Sequence, residues 1–182
     1  MGSTHHITDI AGYFNHLNDI AKKQPELVVD LLQSWTKDKD QDAKELAWMS
    51  RHALRTLVKQ GHGGALTLLG YRNDVGVEAA LSLSQDTYAI GDVLELECTL
   101  QAPETLPILV DYRILFARPN GKSGEKVFKL KVGQIAAGKP LKLAKKHRLK
   151  GDATTFKLYP GAHQIVLQVN GVDVAQVGFD LT

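Results

Sequence analysis

At 182 residues, with 43% hydrophobic and 7% aromatic content and a formal charge of +2, the chain is long enough for one sizeable core or two small ones and too apolar for general disorder. It lacks any apolar run of about 18 residues, and its charged N-terminal stretch has no signal-peptide core, so a spanning helix and secretion are excluded and a cytoplasmic protein is expected. Cys98 is the only cysteine, and the seven histidines never fall into HExxH or another ligand spacing; neither a disulfide, a metal nor any other cofactor is expected.

In chain order, helical periodicity comes first. Ile10, Tyr13, Phe14, Leu17 and Ile20 recur at three and four residues, and Pro25 opens a second run through Leu27, Val28, Leu31, Leu32 and Trp35. After a polar loop at 36–42, a single helix is predicted from about Asp42 to Gln60, with Leu46, Met49, Ala53 and Leu57 on its apolar side. Gly61-His62-Gly63-Gly64 ends it before a short apolar helix at 65–69. Helices this short, each apolar on one face, are how α-solenoids are built, and two pairs are fewer than such an array usually needs.

Near Tyr71-Arg72-Asn73-Asp74 the pattern changes to period two. Runs around 77–83, 93–100, 108–116, 128–132, 141–143, 165–169 and 172–179 predict seven strands. Turns are marked by Ile90-Gly91-Asp92, Pro119-Asn120-Gly121, Gly138-Lys139, Tyr159-Pro160-Gly161 and Asn170-Gly171, the last being a type I′ hairpin signal. The expected fold is therefore two-part: short helical repeats over 1–73, then an immunoglobulin-like β-sandwich over 74–182. Cys98 is expected in the core, and His163 is expected as a structural histidine near a strand corner.

Charge singles out two segments. On the 42–60 helix, a rotation of about 100° per residue puts Trp48, His52, Arg55 and Lys59 in one narrow band with Arg51 at its margin, and residues 46–73 contain no acid. Guanidinium groups pair with phosphate oxygens, so the band suits a nucleic-acid backbone; an ordinary solvated helix face is the alternative. The second segment, 126–150, holds nine basic residues and no acidic one. Alternation sends Phe128, Leu130, Val132, Leu141, Leu143 and Leu149 inward and Lys129, Lys131, Lys142, Lys146, Arg148 and Lys150 outward. If the strands are neighbours, six cations share one face, either to meet a polyanion or to guard a sheet edge against pairing. The sequence contains no GxSxG, P-loop or GxGxxG, and nothing nominates a nucleophile or general base.

Four stretches, "FNHLNDIAKKQPELVVDLLQSW", "RHALRTLVKQGHGGALTLLGY", "LVDYRILFARPNGKSGEKVFKLK" and "YPGAHQIVLQVNG", resemble the C-terminal part of DNA alkylation repair proteins of the AlkC kind, related to AlkD. The resemblance covers about residues 9–182. It implies HEAT-like repeats followed by an immunoglobulin-like domain, a glycosylase activity that removes bases such as 3-methyladenine, and double-stranded DNA as partner. It also implies phosphate contacts at Arg51 and Arg55, with Lys59 assisting, while Trp48 packs on the preceding helix or lies beside the lesion. The family's helical array is longer than the one predicted here, so its catalytic acids are expected upstream of residue 1 and none is assigned in this chain. Gly63 stands where a proline is expected after "GH", which predicts a less rigid start to the last helix. The leading expectation is a DNA-binding C-terminal portion of such a glycosylase. The competing ones are a complete short glycosylase, and an interaction module completing an upstream helical partner or assembling with its own copies.

Overall fold

The computed structural model describes residues 12, 15–37, 43–118, 121, 124–151 and 157–182. The expectations for Ile10, Tyr13, Phe14, the 38–42 loop and Pro119-Asn120 lie outside these residues. The chain forms two compact units, Met1–Arg72 and Asn73–Thr182.

In the first unit the described helices are α1 (15–21), α2 (Pro25–Thr36), α3 (Ala43–Ala53), α4 (Arg55–Lys59) and α5 (Gly63–Leu68). Leu17, Val28, Leu32, Ala53, Leu54 and Leu57 meet in one buried cluster, with Trp35 and Met49 packed against it. Ile20 and Leu27, expected on apolar faces, are instead exposed. The helix predicted over 42–60 is broken at Leu54, which sits at φ −96° and ψ 3°. Asn18 from α1, itself 1% exposed, accepts the Thr56 N–H on its Oδ1 at 3.1 Å. A side chain inserted into the backbone ladder is a recognised cause of a kink, and this one comes from 38 residues away. His62 caps α5: its Nδ1 accepts the Ala65 N–H, and its Nε2 lies 3.1 Å from Glu26 on α2. That side chain fixes the start of α5 where the expected proline is absent.

Among the described residues the second unit contains eight strands: β1 (Glu78–Leu83), β2 (Thr87–Tyr88), β3 (Val93–Gln101), β4 (Leu106–Phe116), β5 (Gly124–Ile135), β6 (Leu141–Arg148), β7 (Gly161–Val169) and β8 (Val172–Leu181). The two-residue β2 is too short to show periodicity, while β5 and β6 extend beyond the apolar runs that predicted them. A three-stranded sheet, β1-β3-β6, packs on a five-stranded sheet, β2-β8-β7-β4-β5. Their facing side chains, among them Leu94, Leu96, Leu100, Ile108, Val110, Tyr112, Ile114 and Ile165, form one core. Cys98 lies in it, and burial pushes its thiol up to about 11. β7 and β8 pair antiparallel around Asn170-Gly171, where φ is 48° and 82° as a type I′ turn requires.

A single bulge redirects the side chains of β5. Between Val110 and Asp111 the β4–β5 register shifts: Val110 pairs with Lys131 and Asp111 with Lys129, so Leu130 is an extra residue.

Candidate nucleic-acid interface

The α3–α4 segment exposes Trp48, Arg51, His52, Arg55 and Lys59. Trp48 is 45% exposed, and its ring lies 4.3 Å from that of His52 one turn on. The break at Leu54 leaves Trp48, Arg51 and His52 on α3 and Arg55 and Lys59 on α4. Among the described residues no carboxylate forms an ion pair with Arg51, Arg55 or Lys59. The fold nevertheless supplies an acid that residues 46–73 lack. Asp19 on α1 is held below the usual carboxylate range, chiefly by its hydrogen bond to Lys22 and to a smaller extent by Arg55.

The lysine-rich strands do not form one face. β5 edges the five-stranded sheet and β6 edges the three-stranded one. Residues paired across a ladder share a side of the sheet, so Lys142, Lys146 and Arg148, opposite Thr99, Glu95 and Val93, point off the outer side of the three-stranded sheet. Lys146 is bound to Glu95 at 2.7 Å, which raises its pKa. Lys129, opposite Asp111, points off the outer side of the other sheet, where Arg113 is gripped by Glu125 and Asp173. The bulge then reverses the alternation. Lys131 shares the core side with Val110, and Val132 is turned outward and left 51% exposed. Lys131 and Lys129 thus occupy opposite sides of one strand, contrary to the simple alternation.

Two residues missed from the sequence complete this edge. Lys145 and His147 pair with Leu96 and Leu94, so both occupy core-side positions on β6. His147 Nδ1 lies 2.8 Å from the Tyr112 hydroxyl on the opposite sheet, and its ring meets Phe128 of β5 edge-on at 4.5 Å. Burial first, and Lys145 second, lower the His147 pKa; burial pushes the Tyr112 phenol up to about 12. Continuing the period-two run Leu141-Leu143 through Lys145 and His147 was the available signal.

His163 is structural, as expected. Its Nδ1 accepts the Ala117 N–H, and Nε2 lies 2.9 Å from the Tyr159 carbonyl. An open cleft of about 430 Å³ beside it is lined by Leu115, Ala117, Arg118 and Gln164. Among the described residues no group of three His, Cys, Asp or Glu side chains is arranged to hold a metal, and no helix is long and apolar enough to cross a membrane.

The profile of a known family, described as "Uncharacterised protein YhaZ, C-terminal Ig-like domain", matches residues 77–182, the whole of the sandwich. The chain belongs to the YhaZ C-terminal Ig-like domain family. YhaZ of Bacillus subtilis (strain 168) is 30% identical over 158 residues, a span of 86% of this chain and 43% of YhaZ. The solved structure of Pseudomonas fluorescens alkylpurine DNA glycosylase AlkC, bound to DNA containing an abasic site analog, is 36% identical with a TM-score of 0.84. That match covers 93% of this chain and 46% of AlkC. The YhaZ-type sandwich and its helical unit therefore span less than half the length of either relative.

Proposed function

We propose that this chain is a duplex-DNA-binding portion of a DNA alkylation repair protein, and that Arg51, Arg55 and Lys59 contact phosphates beside the exposed Trp48. The observation that carries the reading is the α3–α4 segment: three exposed cations, without ion-pair partners among the described residues, follow the exposed Trp48 along it. Three cations against the nearby carboxylate of Asp19 leave an excess of positive charge, which a DNA backbone compensates with release of counterions. Likeness to a DNA-bound alkylpurine glycosylase supports duplex DNA as the polyanion. Residues 1–73, in this reading, are HEAT-like repeats and residues 74–182 form the second domain. No step of base excision is assigned to side chains of this chain.

Fluorescence titration with duplex DNA at several salt concentrations tests this. Engagement of four to six phosphates gives a log-log slope of roughly −4 to −5, and Arg51→Ala with Arg55→Ala makes it shallower by about two. A flat salt response removes the reading. The second reading, an interaction module for a separate helical partner or a second copy, draws on Ile20 and Leu27, which are 43% and 57% exposed around the α1–α2 turn. Solution mass above 20.0 kDa that falls to the monomer value on Leu27→Gln supports that reading.

A further inference from the structure

The outer-facing cations of β6 are those that alternation picks out, yet the more unusual lysines face the other way. Lys131 pairs with Val110, which is 0% exposed, and Lys145 pairs with Leu96, which is 1% exposed. At such positions an apolar side chain is the ordinary occupant. Both lysines stay exposed because β5 and β6 are the open edges on one side of the sandwich. Phe128 of β5 touches His147 of β6; toward the 136–140 connection from that contact, Lys145 is the next core-side position on β6, and Lys131 follows the bulged Leu130 on β5. They flank the same stretch of the seam. Gly133 adds no side chain there, and the Lys131 chain lies over it, its Cε at 3.4 Å from where a Cβ would stand. Neither lysine has an ion-pair partner among the described residues.

We propose that the seam between β5 and β6 is a seat for a nucleic-acid phosphodiester, gripped by Lys131 and Lys145 with His147 at its floor. The inference rests on the DNA-binding reading above and adds a contact on the sandwich that this reading does not require. Two ammonium groups flanking one groove repel each other, and an oxyanion between them converts that repulsion into attraction. The charged and titratable groups around His147 are Tyr112 of β4, Lys126 and Lys131 on the core side of β5, and Lys145 on β6 itself. β3 faces it with the apolar Leu94, while Glu95 lies on the other side of the sheet and binds Lys146. A phosphate in the seam meets the core-side cations Lys131 and Lys145 there. The Tyr112 hydroxyl can accept as well as donate, so the Nδ1 bond survives protonation of the ring. Phosphodiester binding is accordingly coupled to proton uptake by His147.

The test uses the full chain with Lys131→Gln and Lys145→Gln together, titrated with duplex DNA across salt and at pH 8 and pH 6. For the wild type, affinity rises toward pH 6, and the His147 imidazole resonance titrates at higher pH with DNA present. In the double variant the salt slope is shallower by about two, one unit per lysine, and the pH dependence is reduced. If the wild type binds DNA and the double variant keeps both its slope and its pH dependence, the seam is no phosphate seat and the DNA-binding reading stands. The same result with new self-association identifies the two lysines as edge guards. A wild type that does not bind DNA removes both readings.

Discussion

Asn170 occupies the left-handed region at φ 48° while its side chain is 1% exposed, a combination that few residues satisfy. Its Oδ1 accepts the Leu109 N–H at 2.8 Å and its Nδ2 donates to the Pro107 carbonyl at 3.1 Å, tying the β7–β8 turn to β4. Replacement by Ala orphans the buried Leu109 N–H, removes the bond to the Pro107 carbonyl and strains φ; we expect a loss of about 2–3 kcal/mol in denaturant midpoint experiments. Asn170→Gly keeps the backbone and costs about 1 kcal/mol less. His147 gives a second prediction at this scale. Its pKa in the fold is below the ordinary imidazole value of 6.5, so the unfolded chain binds the proton more readily. Stability from this group is complete above 6.5 and is lost as pH falls through the lower folded value. In the absence of DNA, the melting temperature of the wild type should drop on going from pH 7 to pH 5, and His147→Gln should flatten that dependence.

At the scale of elements, the α3–α4 segment is interrupted by a distant side chain, and the bulge in β5 redirects a lysine. Asn18 takes the Thr56 N–H out of the helical ladder, and the helix is interrupted between Arg51–His52 and Arg55–Lys59. Asn18→Ala removes a buried acceptor, with an expected cost of about 1–2 kcal/mol in urea unfolding of the helical unit. The bulge has the opposite origin, an added residue rather than a borrowed one, and it delivers Lys131 to the seam while Leu130 packs against the core. The helix starts, by contrast, follow local chemistry: Pro25 opens α2 and His62 caps α5.

Taken as a whole molecule, the described residues form two separate buried clusters. One draws on residues between Leu17 and Leu69, the other on residues between Val75 and Leu181. A fragment of residues 73–182 carries the whole of the second cluster and should fold alone. Dispersed amide resonances and one cooperative thermal transition would show it; a collapsed spectrum would mean that the sandwich depends on the helical unit. Opposing edges also explain why the basic segment 126–150 spreads as it does. It crosses from one sheet to the other at 136–140, so its cations divide among two outer sides and the seam.

Local patterning by itself determined the change from helix to strand near residues 71–74, the Asn170-Gly171 hairpin, the buried Cys98 and the structural role of His163, because each depends on a few neighbouring residues. It also marked Arg51, Arg55 and Lys59 as cationic and exposed. Tertiary structure alone decided which lysines share a side, since that depends on sheet membership and on a register shift made against β4. It likewise decided the break at Leu54, imposed by a side chain far away in sequence, and the placing of His147 against Tyr112. The physical reason is common to all three: periodicity records which way a side chain points from its own backbone, while the partner across the ladder or the helix pair sets what it meets there.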